Sequence, residues 1–149
     1  MAATTDINHE STRARWPRDL RIFVWLALVW AAALVARIVV RDLTYYSPPP
    51  LEAIFLGMRF DGYHARLVVI AQAMTVATAA IGVNHGRRWG LALAIIYLFE
   101  MVASNLIFMM TYMNDLSEAR NVRLSGLVGI ASVLILLYLW IRARDLLFE

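Results

Sequence analysis

The chain has 149 residues, is 61% hydrophobic, carries a formal net charge of +3 and contains no cysteine. Soluble domains are ~45–50% apolar, so this composition favours a membrane protein over a soluble helical bundle. The lack of cysteine excludes disulfides, thiolate metal sites and cysteine nucleophiles. No basic patch is interleaved with aromatic residues, so we expect no nucleic-acid binding.

Four apolar runs dominate the chain, and each has about the ~20 residues that a helix needs to cross a bilayer. They cover residues 22–40, 67–83, 90–110 and 124–141. The short polar joints between them predict an all-α integral membrane protein, an antiparallel bundle of four transmembrane helices. We assign residues 1–21 to an N-terminal tail and 22–149 to one membrane domain. A polar segment precedes the first run, which we interpret as a retained span rather than a signal peptide.

The first tail residues and the first connection have distinct local patterns. Met1–Ser11 is polar and without periodicity, so we expect it to be mobile. Tyr45–Pro50 ends in three prolines, which predicts a stiff extended turn. Leu51–Phe60 has apolar residues at helical spacing, so we predict a short interfacial helix in this extracytoplasmic loop.

Arginine placement indicates both origin and orientation. All basic side chains are arginine and none is lysine, which we interpret as the codon bias of a GC-rich bacterium. Four arginines precede the first span, and Arg87-Arg88 lies in the short second connection. Charges in short loops dominate orientation, so we predict a multi-pass protein of the bacterial inner membrane with both termini cytoplasmic.

Small residues that let helices approach closely mark the predicted helix contacts, because lipid supplies no hydrophobic reason for helices to associate. The second span is richest in them, and we expect it to be the most buried helix. The small residues of the first, second and fourth spans are Ala27, Ala31, Ala32, Ala36, Ala71, Ala73, Thr75, Ala77, Thr78, Ala79, Ala80, Gly82, Ser125, Gly129 and Ser132.

Glu100 lies near the middle of the third span, where a carboxylate costs at least ~2.5–3.5 kcal/mol and usually has a function. Ser104 and Thr111 share its helical face, and Tyr97 flanks it. One hypothesis is a proton- or cation-coupled site whose carboxylate cycles between protonation states.

A structural role for Glu100 is the alternative, in which it bonds to Gln72 or Thr75 of the second span. A wider polar pocket could also form from Arg37, Asn105, Gln72 and Glu100, opening outwards. Arg37 is near the end of the first span, however, and such a side chain can equally extend to the lipid headgroups.

Metal and cofactor sites are not expected. His64 and His85 lie 21 positions apart on the second span, hence ~30 Å, which excludes a shared metal or haem. Methionine thioethers and one histidine imidazole could in principle form a copper(I) site. Methionines in helices more often fill gaps in side-chain packing. The ligands of the copper(I) site would be Met58, His64, Met109, Met110 and Met113.

No motif for nucleophilic catalysis, metal-dependent hydrolysis or phosphate binding occurs, so we do not expect an enzyme, and action on lipid is a distant third hypothesis. We favour a non-catalytic accessory or structural subunit that binds partner helices or lipid. The alternative is a homo-oligomeric proton- or cation-coupled transporter or channel that uses Glu100. The expected partners are the bilayer and either further copies or a larger membrane complex. Several families of small membrane proteins share this four-span layout, and no motif selects one.

Overall fold

A computed structural model describes residues 18–44 and 51–147, which are helical apart from one hairpin. The helices are α1 (Arg18–Thr44), α2 (Gly62–Asn84), α3 (Arg88–Tyr112) and α4 (Ala119–Leu147). Each contains its predicted apolar run and extends past it at both ends, because the flanking polar residues continue the helix. All four are long and apolar enough to cross a membrane. The chain is therefore a multi-pass membrane protein by length and composition of its helices.

The helices pack in chain order, α1 on α2, α2 on α3 and α3 on α4. We call the end with the start of α1 and the α2–α3 connection the terminal end, and the opposite end the hairpin end. At the terminal end α1 meets α4 through Asp19. The Tyr138 hydroxyl donates to its carboxylate at 2.6 Å and Arg142 Nε donates to it at 2.8 Å. This contact joins the first and last helices at that end.

The second helix is the most buried, as predicted. Of the apolar window that could cross a membrane, 39% is buried in α2, against 33% in α3, 17% in α4 and 11% in α1. Its alanine-rich faces pack against both neighbours, and Ala79 and Ala80 belong to the main apolar core. On α4, Ser125 and Ser132 of the predicted small-residue face are also buried.

The tightest helix contact lies where α2 turns into α3. Gly82 and Gly90 face each other so closely that a Cβ atom on Gly90 would lie 2.4 Å from the carbonyl carbon of Gly82. The connection is closed by the Arg87 N–H, which donates to the Gly82 carbonyl at 2.9 Å. Two glycines thus let the backbones of α2 and α3 touch.

The predicted interfacial helix is wrong, because this segment forms a β-hairpin. Strands β1 (Glu52–Phe55) and β2 (Met58–Asp61) pair antiparallel around the turn Leu56-Gly57. Both turn residues have positive φ, 49° and 75°, as a two-residue hairpin turn of this hand requires. Glycine permits the positive φ of the turn, and four residues on either side of the turn pair as strands.

Two predicted segments lie outside the described residues, namely Met1–Ser11 and Tyr45–Pro50. We predicted a tail at 1–21 and a membrane domain at 22–149, and the structure can be compared with this division only near the boundary between the two. Helix α1 already includes the last residues assigned to the tail, since it begins at Arg18.

Candidate functional site

The tip of the hairpin docks on the middle of α3. The Gly57 N–H donates to Ser104 Oγ at 3.2 Å, and Ser104 is only 1% exposed. A Cβ atom on Gly57 would lie 2.2 Å from Cγ2 of Ile107. The backbone of the neighbouring Leu56 lies close to the carboxyl group of Glu100. The turn therefore meets two polar side chains of α3, and its Gly57 N–H bonds to one of them.

The docked tip lies at the level of the middle of α3. Glu100 is the central residue of α3, so it lies near the middle of a hydrocarbon layer that α3 crosses. Non-helical backbone is tolerated at this depth only where it is buried in protein or lines a water-filled cavity. Leu56 also has a left-handed backbone conformation that is uncommon for a non-glycine residue. A turn with a left-handed residue thus lies beside the carboxyl group of Glu100, with Gly57 buried and the Leu56 side chain exposed.

Ion pairs hold the base of the hairpin at the rim. Arg59 bonds to Glu52 at 2.8 Å and Asp61 at 3.3 Å, and it also contacts Glu118 beyond the end of α3. Asn121 Nδ2 donates to the second oxygen of Glu118 at 2.7 Å. Desolvation lowers the pKa of Arg59, but the bond to Asp61 and the nearby carboxylates outweigh it and raise that pKa overall. Arg59 therefore stays charged and ties the hairpin to the α3–α4 connection.

A cavity of about 440 Å³ lies beside Glu100, between α2 and α3. Its lining is apolar except for Glu100, Gln72, Thr75 and the Tyr97 hydroxyl, and the hairpin contributes Phe55. Within the described part of the chain, Glu100 Oε1 is the buried side-chain oxygen without a hydrogen-bond partner. Glu100 therefore lines a mostly apolar space and has one carboxyl oxygen without a hydrogen-bond partner among the described residues.

Three of the seven candidate site residues meet at this cavity, namely Glu100, Gln72 and Tyr97, and Thr75 lines it too. Gln72 Nε2 lies 4.0 Å from the sulfur of Met101, and Thr75 bonds within its own helix at 2.9 Å. Ser104 is not in the described lining; it lies behind the hairpin tip, where it accepts the Gly57 N–H. Neither Gln72 nor Thr75 is thus bonded to Glu100.

The other three residues lie elsewhere. Asn105 faces α4, where a Cβ atom on Gly129 would lie 3.5 Å from its own Cβ. Thr111 is exposed and donates to the carbonyl of Ile107 in its own helix. Arg37 is exposed on α1 and does not belong to the described lining of the cavity. The structure does not bring Arg37 or Asn105 to Glu100.

A second, larger space of about 970 Å³ lies between α1 and α4, and we call it the α1/α4 groove. Its floor is formed by small residues of α2 and α3, among them Ala80 and Ala94. Asp19 and Tyr138 stand at its terminal end, and Trp30 and Tyr97 also line it. Tyr97 lines both the groove and the Glu100 cavity.

Sequence reasoning missed the ion-pair cluster at the base of the hairpin. A signal was present, since Arg59 stands two residues from Asp61 in a strand-like alternation. Glu118 is far away in the chain, and nothing local indicates that it is only 8% exposed. Among residues 18–44 and 51–147, no three histidine or acidic side chains come together to hold a metal ion.

No protein-family model, curated protein or solved structure matches this chain.

Proposed function

We propose that this chain is a non-catalytic membrane protein that binds lipid in its α1/α4 groove. The observation that supports this is the groove itself, about 970 Å³ of apolar space between the first and last helices. Ligand sites in proteins are ~300–1,000 Å³ and mostly apolar with a few polar groups. Exposed side chains such as Ile22 and Leu134 border it, so acyl chains can enter from the side.

The length of the groove favours a lipid over a partner helix. Its lining residues run from Asp19 to Ala33 on α1 and from Leu127 to Tyr138 on α4, which is ~21 Å of α1 and ~16 Å of α4. Both lengths are shorter than the ~30 Å thickness of a hydrocarbon layer. A partner helix would use the full thickness, whereas an acyl chain ends at the midplane. The Asp19–Arg142 pair at the mouth then lies at headgroup level.

We place the protein in a bacterial inner membrane with both termini cytoplasmic, so the groove faces the cytoplasmic leaflet. Arg87 and Arg88 lie at the same end of the bundle as Arg142, in line with the positive-inside rule. The proposed protein partners are further copies of this chain or a larger membrane complex that the lipid-bound protein joins.

Filling the groove tests the proposal. Ala131→Trp adds an indole to a lining position, and we expect lipid to bind about tenfold more weakly because overpacking costs ~1–3 kcal/mol. Native mass spectrometry of gently extracted protein would measure the bound phospholipid. Ile130→Trp is the matched control, since Ile130 is the exposed neighbour outside the described lining.

Equal lipid retention in both variants would contradict a lipid in the groove. A second polypeptide that dissociates from Ala131→Trp but not from Ile130→Trp would make a partner helix the occupant instead.

A second candidate function is a homo-oligomeric transporter coupled to protons or cations, favoured by the unpartnered oxygen of Glu100. Four helices seldom enclose a path alone, so this function needs at least a dimer. In proteoliposomes with an imposed pH gradient, Glu100→Gln should abolish coupled proton flux while the native mass stays unchanged. Flux equal to the native protein's would exclude Glu100 as the coupling group.

A further inference from the structure

The cavity beside Glu100 has the features of a site for an amphiphilic ligand. Its volume of about 440 Å³ falls within the range of small-molecule sites. Leu67 and Ile96 line it and are 48% and 65% exposed, so the cavity opens sideways onto the surface that faces lipid. A molecule dissolved in the bilayer can therefore reach the cavity without first entering water.

The charge of the lining selects the ligand's head group. Glu100 is the one acidic side chain in the described lining, and its Oε1 has no hydrogen-bond partner among the described residues. Buried acceptors are normally satisfied, and a cationic donor forms the stronger bond. An ammonium group supplies both the missing donor and the opposite charge, and the ring of Tyr97 can face a cation.

We propose that the Glu100 cavity binds an amphiphilic amine, with its ammonium on Glu100 and its alkyl body against the apolar wall. Phe55 of the hairpin, Leu67 and Ile96 provide that wall. Glu100 is also the coupling residue of the second candidate function, so the inference names a ligand class for that function. It depends on Glu100 as the group that binds the ammonium. It requires neither flux nor lipid in the α1/α4 groove.

Binding of radiolabelled dodecylamine to the full chain in phosphatidylcholine nanodiscs tests the proposal, with empty nanodiscs as the blank. We expect a saturable component that unlabelled dodecylamine displaces and 1-dodecanol does not. In Glu100→Gln this component should weaken by at least about tenfold, the factor expected for the loss of a hydrogen bond to a charged group. Asp42→Asn removes a carboxylate that pairs with Arg66 and does not belong to the described lining of the cavity, and this variant should bind like the native protein.

A second pair of variants guards against misfolding. Ala71→Trp fills the cavity while leaving Glu100 intact, and should also lose the saturable component. Ile70→Trp, on the exposed neighbour outside the described lining, should keep it. Binding equal to that of empty nanodiscs, displacement by dodecanol, or retention in both Glu100→Gln and Ala71→Trp would overturn the proposal. Saturable amine binding without proton flux would overturn the transport function alone.

Discussion

Replacing Gly90 with alanine should separate α2 from α3 and lower the free energy of unfolding by about 3 kcal/mol. The added Cβ would lie 2.4 Å from the Gly82 carbonyl carbon and 2.4 Å from the Val83 nitrogen. Both are backbone atoms of a helix, so neither can rotate away, and the helices must move apart. In lipid such a shift is costly because close packing drives helix association.

Gly126→Ala is the matched control for this prediction. The nearest atoms to its added Cβ are in the Met109 side chain at 3.6 Å, which is ordinary contact. Alanine should stabilise this helix by about 0.5–1 kcal/mol because glycine loses more backbone entropy on folding. Unfolding in mixed micelles, followed by circular dichroism, would measure both variants. Similar midpoints for the two would show that the glycine contact between α2 and α3 does not determine stability.

Replacing Gly57 with alanine should detach the hairpin tip from α3, at a cost of about 3 kcal/mol. Two effects add here. The residue has φ of 75°, where a side chain costs ~1–2 kcal/mol, and the added Cβ would lie 2.2 Å from Ile107 Cγ2, where overpacking costs ~1–3 kcal/mol. Unfolding midpoints and protease cleavage within the hairpin would report the loss.

Gly62→Ala separates the two effects. Gly62 also has positive φ, 60°, but nothing lies within 4 Å of its added Cβ. It should therefore show only the conformational cost, with the hairpin still protected from protease. If Gly57→Ala were no worse than Gly62→Ala, the tight docking on Ile107 would be disproved.

The four helices could be predicted from the sequence because their signal is local. Each apolar run is long enough to span a bilayer by itself, and α2 could be identified as the most buried from its own small residues. The hairpin could not, because Leu51, Ile54, Phe55 and Met58 fit a helical period. The turn at Leu56-Gly57 and its contact with α3 favour a hairpin instead of a helix. The contact residue Ser104 is distant in the chain, so a local pattern does not reveal it.

Part of the candidate site could likewise be predicted from local sequence, and part could not. Glu100 stands out in the sequence, since a carboxylate within an apolar run needs no structure to be noticed. The hairpin turn beside it does not, because the backbone of Leu56 and Gly57 carries no residue-type signal that points to α3. The sequence also suggests a pocket of Glu100 with Arg37 and Asn105, but position along a span does not specify which side of a helix faces which neighbour.

The docked hairpin also constrains the order in which the chain assembles during synthesis. Gly57 leaves the ribosome 47 residues ahead of Ser104, to which it binds, a delay of ~2–10 s at ~5–20 residues per second. Before α3 is inserted, no side chain of α3 can accept hydrogen bonds from the N–H groups of the turn. Because unpaired backbone groups are not tolerated in lipid, the turn stays in water until then. Docking of the hairpin is therefore a late step, and it follows insertion of the third helix.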